Sequence, residues 1–250
     1  MSIIRGIKKC LWHKSYNVKR IYTIDDKQLN SNLYGVITVD NRTVGKAIVS
    51  RVKESGGNFV VIGRDKSILN EWSSLLNCPY LMMDSLSNVF EQSEKILGHP
   101  INCLVNNSCA SLHQDSILEV TDSDFVKQFE INCKDAYFLI KEFIAYLLKR
   151  KSFGNILNIS TTKTIMPDDL PYGSLKNSLN SLTYGVARKY SSFLRCNSLL
   201  LGPVSTMEDD NNNVVDKEIA EVANFILSGM SACINGQLIS CDNSVRKIKF

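Results

Sequence analysis

Tyr172 and Lys176 lie four residues apart in the segment YGSLK, and this spacing can support proton transfer. On a helix, side chains at positions i and i+4 share one face, with their Cβ atoms about 5–6 Å apart. A free tyrosine has a pKa of about 10 and is a poor acid or base at neutral pH. A neighbouring ammonium group favours the phenolate and lowers the tyrosine pKa. The pair can therefore exchange a proton with a substrate oxygen.

A single α/β domain is predicted to position this pair. The chain has 250 residues, which is enough for one large domain with a sizeable core. After Asn32, short β-branched runs alternate with helical patterns, which predicts a Rossmann-like, doubly wound parallel sheet with helices on both faces. Ligands bind such sheets at the carboxyl ends of the strands. The predicted strands are 33–39, 58–63, one ending at Asp84, one ending at Asn107, 155–160, 196–201 and about 237–241, and the predicted helices include 44–54, 122–149, 172–190 and about 218–227.

The beginning of the chain differs in composition from the rest. Six basic residues and no acidic residue precede Asp25, and they alternate with apolar residues. This composition predicts a mitochondrial transit peptide, cleaved near residue 22, within an N-terminal extension of residues 1–32 ahead of a domain at 33–250. The alternative is a basic tail without a targeting role on a cytoplasmic protein.

Composition also excludes several classes of protein. The net charge of +4 comes from the N-terminal segment, so the rest of the chain is slightly acidic and lacks the basic patch of a nucleic-acid-binding domain. No apolar run approaches the roughly 20 residues of a membrane span. The eight cysteines form no CxxC pair and the three histidines are isolated, so neither a metal site nor a disulfide scaffold is predicted.

Several segments together resemble the short-chain dehydrogenase/reductase family. The resemblance extends from about Tyr34 to Asp242, and the segments follow the family's order and approximate spacing. They are LVNN (104–107), IN (131–132), NIST (158–161), YGSLK (172–176), LLGPVST (200–206) and NGQLISCD (235–242).

The resemblance implies a role for each matching catalytic residue. Tyr172 is expected to give a proton to the substrate carbonyl, and Lys176 to lower the tyrosine pKa and bind the nicotinamide ribose. Asn132 is expected to hold a water that extends the proton relay. A hydroxyl at the end of the fifth strand is expected to hold the carbonyl oxygen. Motif register favours Thr161 and distance from Tyr172 favours Ser160, and neighbouring strand residues point to opposite faces, so both remain candidates.

The phosphate loop departs from the family's TGxxxGxG pattern. The segment TVDNRTVG, from Thr38 to Gly45, keeps only the last glycine, and Val39 and Thr43 replace the first two. A residue with a side chain at a position that requires a positive φ is strained by roughly 1–2 kcal/mol. Asp40 adds a negative charge, and NNSC (106–109) replaces the usual NNAG. The loop is therefore expected either to be rebuilt around the cofactor or to impair its binding.

Other positions predict NADP(H) as the cofactor. Arg64 follows the second strand, where an acid would select NAD, and an arginine there can pair with the 2′-phosphate of NADP. Arg42 is predicted to contact the same phosphate. The resemblance further implies cofactor contacts at Thr38 and Gly45 in the phosphate loop, Asp84 at the adenine, Asn106 at the adenosine ribose, and Val204 and Thr206 at the nicotinamide amide.

Within the family, the chain most resembles the β-ketoacyl-acyl-carrier-protein reductase branch. This implies NADPH-dependent reduction of a 3-oxoacyl thioester, as in fatty acid biosynthesis, by a homo- or hetero-oligomer in the mitochondrial matrix. The short segment between Met207 and Glu218 predicts an open cleft, which suits a carrier-tethered carbonyl substrate as well as a small molecule. The alternative hypothesis is a catalytically impaired homologue that serves as a binding or assembly subunit.

Overall fold

A computed structural model describes residues 26–40, 43–109, 117–162, 170–205 and 214–242. The predicted transit peptide, Arg42, Thr206 and the short segment after Met207, up to residue 213, lie outside these residues.

The described residues form a seven-stranded parallel sheet in the order β3-β2-β1-β4-β5-β6-β9. The chain moves outward from β1 to β3 and then returns to the other side of β1 with β4. This reversal is the signature of a doubly wound fold, and the predicted fold class is confirmed. A two-stranded parallel ladder of β7 and β8 is separate from the sheet. The strands are β1 (Tyr34–Thr38), β2 (Asn58–Gly63), β3 (Tyr80–Met82), β4 (Cys103–Asn106), β5 (Gly154–Thr161), β6 (Leu194–Leu201), β7 (Val204–Ser205), β8 (Val214–Val215) and β9 (Leu238–Cys241).

In the described part of the chain, seven α-helices accompany these strands: α1 (Thr43–Glu54), α2 (Lys66–Leu76), α3 (Val89–Leu97), α4 (Asp122–Phe129), α5 (Asp135–Arg150), α6 (Leu170–Lys189) and α7 (Asp216–Leu227). The sequence patterns did not identify α2 and α3, which are short and lie between strong strand signals. The helix predicted at 122–149 is divided by a π-helical turn, Glu130–Lys134, between α4 and α5.

Both faces of the sheet are covered, which explains the nearly continuous apolar runs of its central strands. One core joins the sheet to α1, α2 and α7 and includes Trp72 and Ile219. The other joins it to α3, α5 and α6 and includes Phe90 and Phe143. The two cores cover the faces of the sheet. Polar side chains can therefore meet at the ends of the strands.

The segment before β1 packs on the domain rather than extending from it. Asn30 is buried, its backbone amide donates to Ser55 O at 2.8 Å, and its side-chain amide donates to Asn224 Oδ1 at 2.6 Å. Residues 26–32, placed in the extension by the sequence, therefore include part of the folded unit. Among the described helices none is long and apolar enough to span a bilayer.

Candidate active site

Tyr172 and Lys176 lie together in the first two turns of α6. Both side chains are buried, with 6% of Tyr172 and 1% of Lys176 exposed. Lys176 Nζ lies 6.0 Å from the centroid of the Tyr172 ring. The ammonium is therefore close enough to act electrostatically on the phenol oxygen.

Backbone carbonyls hold the Lys176 ammonium at the carboxyl ends of β4 and β5. Nζ donates to Ser108 O at 2.9 Å and to Ile159 O at 3.2 Å. A buried cation is costly unless its hydrogen bonds are satisfied. One of these carbonyls follows β4 and the other lies within β5. By accepting hydrogen bonds they offset the free energy cost of burying the ammonium, and they fix its position.

Asn132 lies in the π-helical turn between α4 and α5 and is almost wholly buried. The Asp135 amide donates to Glu130 O, five residues back, which makes the turn one residue wider than an α-turn. Such π-turns occur mostly as single turns inside helices and frequently at functional sites. The turn packs against α6, which carries Tyr172 and Lys176.

The two candidate hydroxyls of β5, those of Ser160 and Thr161, lie on opposite faces of the sheet. β5 continues through both residues, so their side chains point to opposite faces. Ser160 Oγ donates to Lys176 O at 3.3 Å, on the α6 face of the sheet. Thr161 Oγ1 donates to Leu201 O in β6 at 3.2 Å. Ser160 therefore shares a face with the Tyr–Lys helix, and Thr161 ends the strand.

The start of α1 is braced by residues from three other segments. Thr38 Oγ1 accepts from the backbone amides of Asn107 and Ser108, each at 2.8 Å. Trp72 Nε1 donates to Asp40 O at 3.3 Å. Gly45 allows this packing, because a Cβ there would lie 2.5 Å from both Asn107 Nδ2 and the Trp72 ring. The retained glycine therefore permits close packing of the helix, a role described for the third glycine of dinucleotide loops.

The two replaced glycines cause no left-handed strain. Among the described residues, the only non-glycines with a positive φ are Asn77, Asn88 and Lys151. Val39 instead extends the ladder by donating its amide to Ile62 O at 2.9 Å, and Thr43 is the first residue of α1. The strain considered for Val39 and Thr43 is therefore absent, and the described residues on either side of positions 41–42 have ordinary backbone geometry.

Arg64 lies after β2 and forms a two-pronged ion pair with Asp135 at the start of α5. Nη2 donates to Asp135 Oδ1 at 2.9 Å, and Nη1 donates to the other carboxylate oxygen. The hydrogen bond to Asp135 raises the pKa of the Arg64 guanidinium. The Arg64 side chain is nevertheless 56% exposed. The guanidinium is thus fixed in direction by Asp135 while much of its surface faces solvent.

The remaining predicted cofactor residues have mixed environments. Asp84 is exposed just after β3, and Val204 is partly exposed in β7. Asn106 is buried, and its amide donates to Asn158 Oδ1 at 2.8 Å, so part of its side chain serves contacts inside the sheet. Arg42 and Thr206 are outside the described residues.

Some contacts at the site were not predicted from the sequence. Cys109 Sγ donates to Tyr172 Oη at 3.2 Å, although Cys109 was noted only as a replacement for glycine. The bracing roles of Trp72 and Asn107 were also missed. A lone tryptophan carries no positional signal, whereas the second asparagine of NNSC was visible as part of a motif.

Comparison with known proteins decides the family. A family model described as "Enoyl-(Acyl carrier protein) reductase" matches residues 38–214, which is more than half of the chain. The chain belongs to the short-chain dehydrogenase/reductase family. It is accordingly an oxidoreductase of that family, whose members use NAD(H) or NADP(H).

Relatives and solved structures agree with this assignment. The chain is 23% identical over 199 residues to an uncharacterised oxidoreductase of Staphylococcus epidermidis, covering 76% of this chain and 86% of the relative. It is 29% identical over 192 residues to an uncharacterised oxidoreductase of Bacillus subtilis, covering 72% of each. A crystal structure of a short chain dehydrogenase from Bacillus anthracis superposes with a TM-score of 0.79 at 20% identity, covering 88% of this chain and 99% of the other. A structure described as a candidate betaketoacyl-ACP reductase gives a TM-score of 0.75 at 22% identity, with coverages of 86% and 98%.

The residues at the carboxyl ends of β1 and β4 fit the dinucleotide of this family. The amino terminus of α1 follows closely after β1, and free backbone amides at a helix start favour phosphate. Asn106 Oδ1 and Asn107 Oδ1 are buried without a hydrogen-bond partner among the described residues, so two acceptors remain for a ligand donor. Asp40, buried before α1, is the feature that opposes an anion there.

Proposed function

We propose that this short-chain dehydrogenase/reductase is an NADPH-dependent carbonyl reductase that acts on a 3-oxoacyl thioester, free or tethered to a carrier. The observation that carries the proposal is the buried Tyr172–Lys176 pair, whose ammonium is held by Ser108 O and Ile159 O. Burying a charged lysine costs free energy. Here the buried ammonium lies beside the Tyr172 phenol, whose ionised form it favours.

The protein's own residues manage the proton in this reaction. When bound, the reduced nicotinamide supplies a hydride to the carbonyl carbon. Tyr172 Oη donates its proton to the carbonyl oxygen, and the Lys176 ammonium stabilises the phenolate that remains. Asn132 is assigned to hold the water that returns a proton to the pair. Ser160 and Thr161 are the two candidates for the hydroxyl that orients the carbonyl.

The preference for NADPH is proposed from Arg64. Its guanidinium lies after β2, where the adenosine ribose is bound in dinucleotide folds. The two-pronged contact with Asp135 sets its orientation, and the exposed part of the side chain can pair with a 2′-phosphate. Asp84, Val204, Arg42 and Thr206 complete the proposed contacts with the cofactor.

Oligomerisation and location complete the proposal. Exposed aromatic side chains on α4, α5 and α6, including Phe125, Tyr137 and Tyr184, support assembly into a homo- or hetero-oligomer. The basic, acid-free N-terminal residues support targeting to the mitochondrial matrix.

The second candidate function is a non-catalytic binding or assembly subunit. Two observations favour it: Asp40 is buried close to the expected phosphate position, and Arg64 already has a carboxylate partner. Both features lower the affinity for an anionic cofactor. A subunit of this kind binds neither NADPH nor NADH.

The test of the reductase is oxidation of NADPH by the full chain with a 3-oxoacyl thioester as substrate. Tyr172→Phe is expected to lower kcat at least about 100-fold, the size typical of a lost general acid, while NADPH affinity changes little. Unchanged turnover in Tyr172→Phe removes Tyr172 from the mechanism. Absence of turnover in the unmodified chain, together with absence of cofactor binding, favours the subunit instead.

A further inference from the structure

The residue pair Ser108–Cys109 contacts both members of the catalytic pair. Ser108 O accepts from Lys176 Nζ at 2.9 Å, and Cys109 Sγ donates to Tyr172 Oη at 3.2 Å. The corresponding residues of the usual NNAG segment are alanine and glycine, and neither has a side chain that can donate a hydrogen bond. The contact with the phenol therefore depends on the cysteine of this chain.

The position of this pair is set by the ends of two central strands. The Ser108 amide donates to Thr38 Oγ1 at 2.8 Å, and the Asn107 side-chain amide donates to Thr38 O at 3.2 Å. Thr38 ends β1 and Asn106 ends β4, so the segment that carries Cys109 is tied to the middle of the sheet. The thiol is thus directed at Tyr172 by the fold and only half buried itself.

We propose that Cys109 is a positioning residue that holds Tyr172 Oη in place and stabilises its phenolate. A phenol oxygen has a proton to donate and lone pairs to accept with, so it can accept from the thiol while it donates to a substrate oxygen. Once the proton has left, a hydrogen bond to the oxygen favours the charged form. Cys109 thereby assists the same step as Lys176, and this inference rests on the proposed function.

Among the described residues, the ionisable groups of Cys109 and Lys176 face Tyr172. Ser160 of β5 donates to the backbone carbonyl of Lys176. Cys133, in the π-helical turn, accepts a hydrogen bond at its Sγ from Ser178 Oγ at 3.1 Å. Ser178 lies six residues after Tyr172 on α6, so this contact is at a different place on the helix. On α4, Asp122 and Lys127 are exposed, and Asp124 accepts from Thr121 Oγ1. The thiol and the ammonium are therefore the two groups to separate experimentally.

The test is an ultraviolet titration of tyrosine ionisation in the full chain without cofactor or substrate. The difference from Tyr172→Phe isolates the contribution of Tyr172. Cys109→Ala is expected to raise the pKa of Tyr172, so that about tenfold less phenolate is present at a fixed pH below that pKa. Cys109→Ser keeps a donor and is expected to restore most of the phenolate. Cys241→Ala, at another half-buried thiol, is the control and should leave the titration unchanged.

The outcomes separate this inference from the proposed function. A Cys109→Ala titration identical to that of the unmodified chain, or a Cys109→Ser titration identical to that of Cys109→Ala, overturns the donor role. Because the titration needs no turnover, it gives its answer even if no carbonyl is reduced. Where turnover is found, the pH profile of kcat should shift in the same direction in Cys109→Ala and return in Cys109→Ser.

Discussion

At the level of single residues, the site depends on a lysine whose charge is buried and hydrogen-bonded. Lys176 has one of the largest fully buried side chains of the described residues. Its ammonium donates hydrogen bonds to carbonyls of β5 and of the segment after β4. Its place is thus defined by backbone atoms, whose positions follow from the sheet. A buried charge with this kind of support can act on Tyr172 without depending on the conformation of a surface side chain.

Gly45 illustrates how one missing Cβ supports the site. Gly45→Ala places a Cβ 2.5 Å from Asn107 Nδ2 and the Trp72 ring, so α1 or these two side chains must shift. We expect a loss of about 1–3 kcal/mol in the free energy of unfolding, the size usual for overpacking. Denaturant unfolding measures this loss, and calorimetry should show weaker NADPH binding.

The control for Gly45 is Gly229→Ala, since no atom lies within 4 Å of a Cβ added at Gly229. Its unfolding free energy is expected to change by less than about 0.5 kcal/mol. Equal effects of the two substitutions contradict the packing role assigned to Gly45.

At the scale of elements, the π-helical turn and the C-terminal end of α7 show two ways in which the chain fixes a helix. The turn at Glu130–Lys134 adds one residue without ending the helical path from α4 to α5. Arg195 in β6 instead donates to four backbone carbonyls around the end of α7, those of Ile226, Ser228, Ser231 and Ile234. Burial lowers the pKa of this guanidinium, although arginine remains charged.

Removal of this arginine should destabilise the fold without affecting the site. Arg195→Met removes one donor from each of these four carbonyls, although each keeps a second donor such as Asn197 Nδ2 at Ile234 O, and we expect a loss of about 1.5–3 kcal/mol in unfolding free energy. Affinity for NADPH should stay unchanged in the folded protein, because Arg195 lies towards the amino end of β6 and cofactors bind at the carboxyl ends. Thermal unfolding and calorimetry measure the two effects. Arg188→Met, at an exposed arginine of α6, should change neither, and a similar loss there contradicts the capping role.

The elements of the sheet were largely predictable because strands buried on both faces leave apolar runs in the sequence. β2 matched its predicted bounds, and β5 differed by one residue at each end. The helices α2 and α3 were missed since their amphipathic patterns are short. The π-helical turn could not be found, because one inserted residue barely changes a helical periodicity over a long segment.

At the scale of the molecule, one face of the domain carries many exposed apolar side chains. They lie on α4, α5 and α6: Phe125, Val126, Phe129, Tyr137, Phe138, Leu148 and Tyr184. A groove of about 300 Å³ runs between α5 and α6 and includes Tyr137 and Ile144. Apolar patches of this kind mark association surfaces.

Substitution on this face should therefore change the oligomeric state. If the chain forms the proposed oligomer, Tyr137→Glu combined with Tyr184→Glu is expected to convert it to a monomer, as measured by sedimentation velocity, because burying unpaired charges in an interface is costly. Phe153→Glu is the control, since Phe153 is more exposed still but lies just before β5 and lines a different groove, with Leu29 and Leu227. A monomeric unmodified chain, or an equal effect of Phe153→Glu, contradicts the assignment of the face.

The sequence offered candidate residues for the site but not the contacts between them. Tyr172, Lys176 and Asn132 could be named from motifs, and the structure places them on α6 and on the π-helical turn that packs against it. The contact between Cys109 and Tyr172, and that between Arg64 and Asp135, join residues more than 60 positions apart. Such pairs depend on how strand ends converge, which no local pattern records.

The central claim is that this chain binds NADPH at the start of α1 in spite of its altered glycine loop. Calorimetric titration of the full chain with NADPH, and separately with NADH, tests it directly. The account predicts one NADPH per chain with micromolar affinity and weaker binding of NADH, because Arg64 can pair with the 2′-phosphate. Absence of binding by either dinucleotide at millimolar concentration contradicts this claim. The Tyr172–Lys176 pair would then have no catalytic role, and the protein would be the non-catalytic subunit.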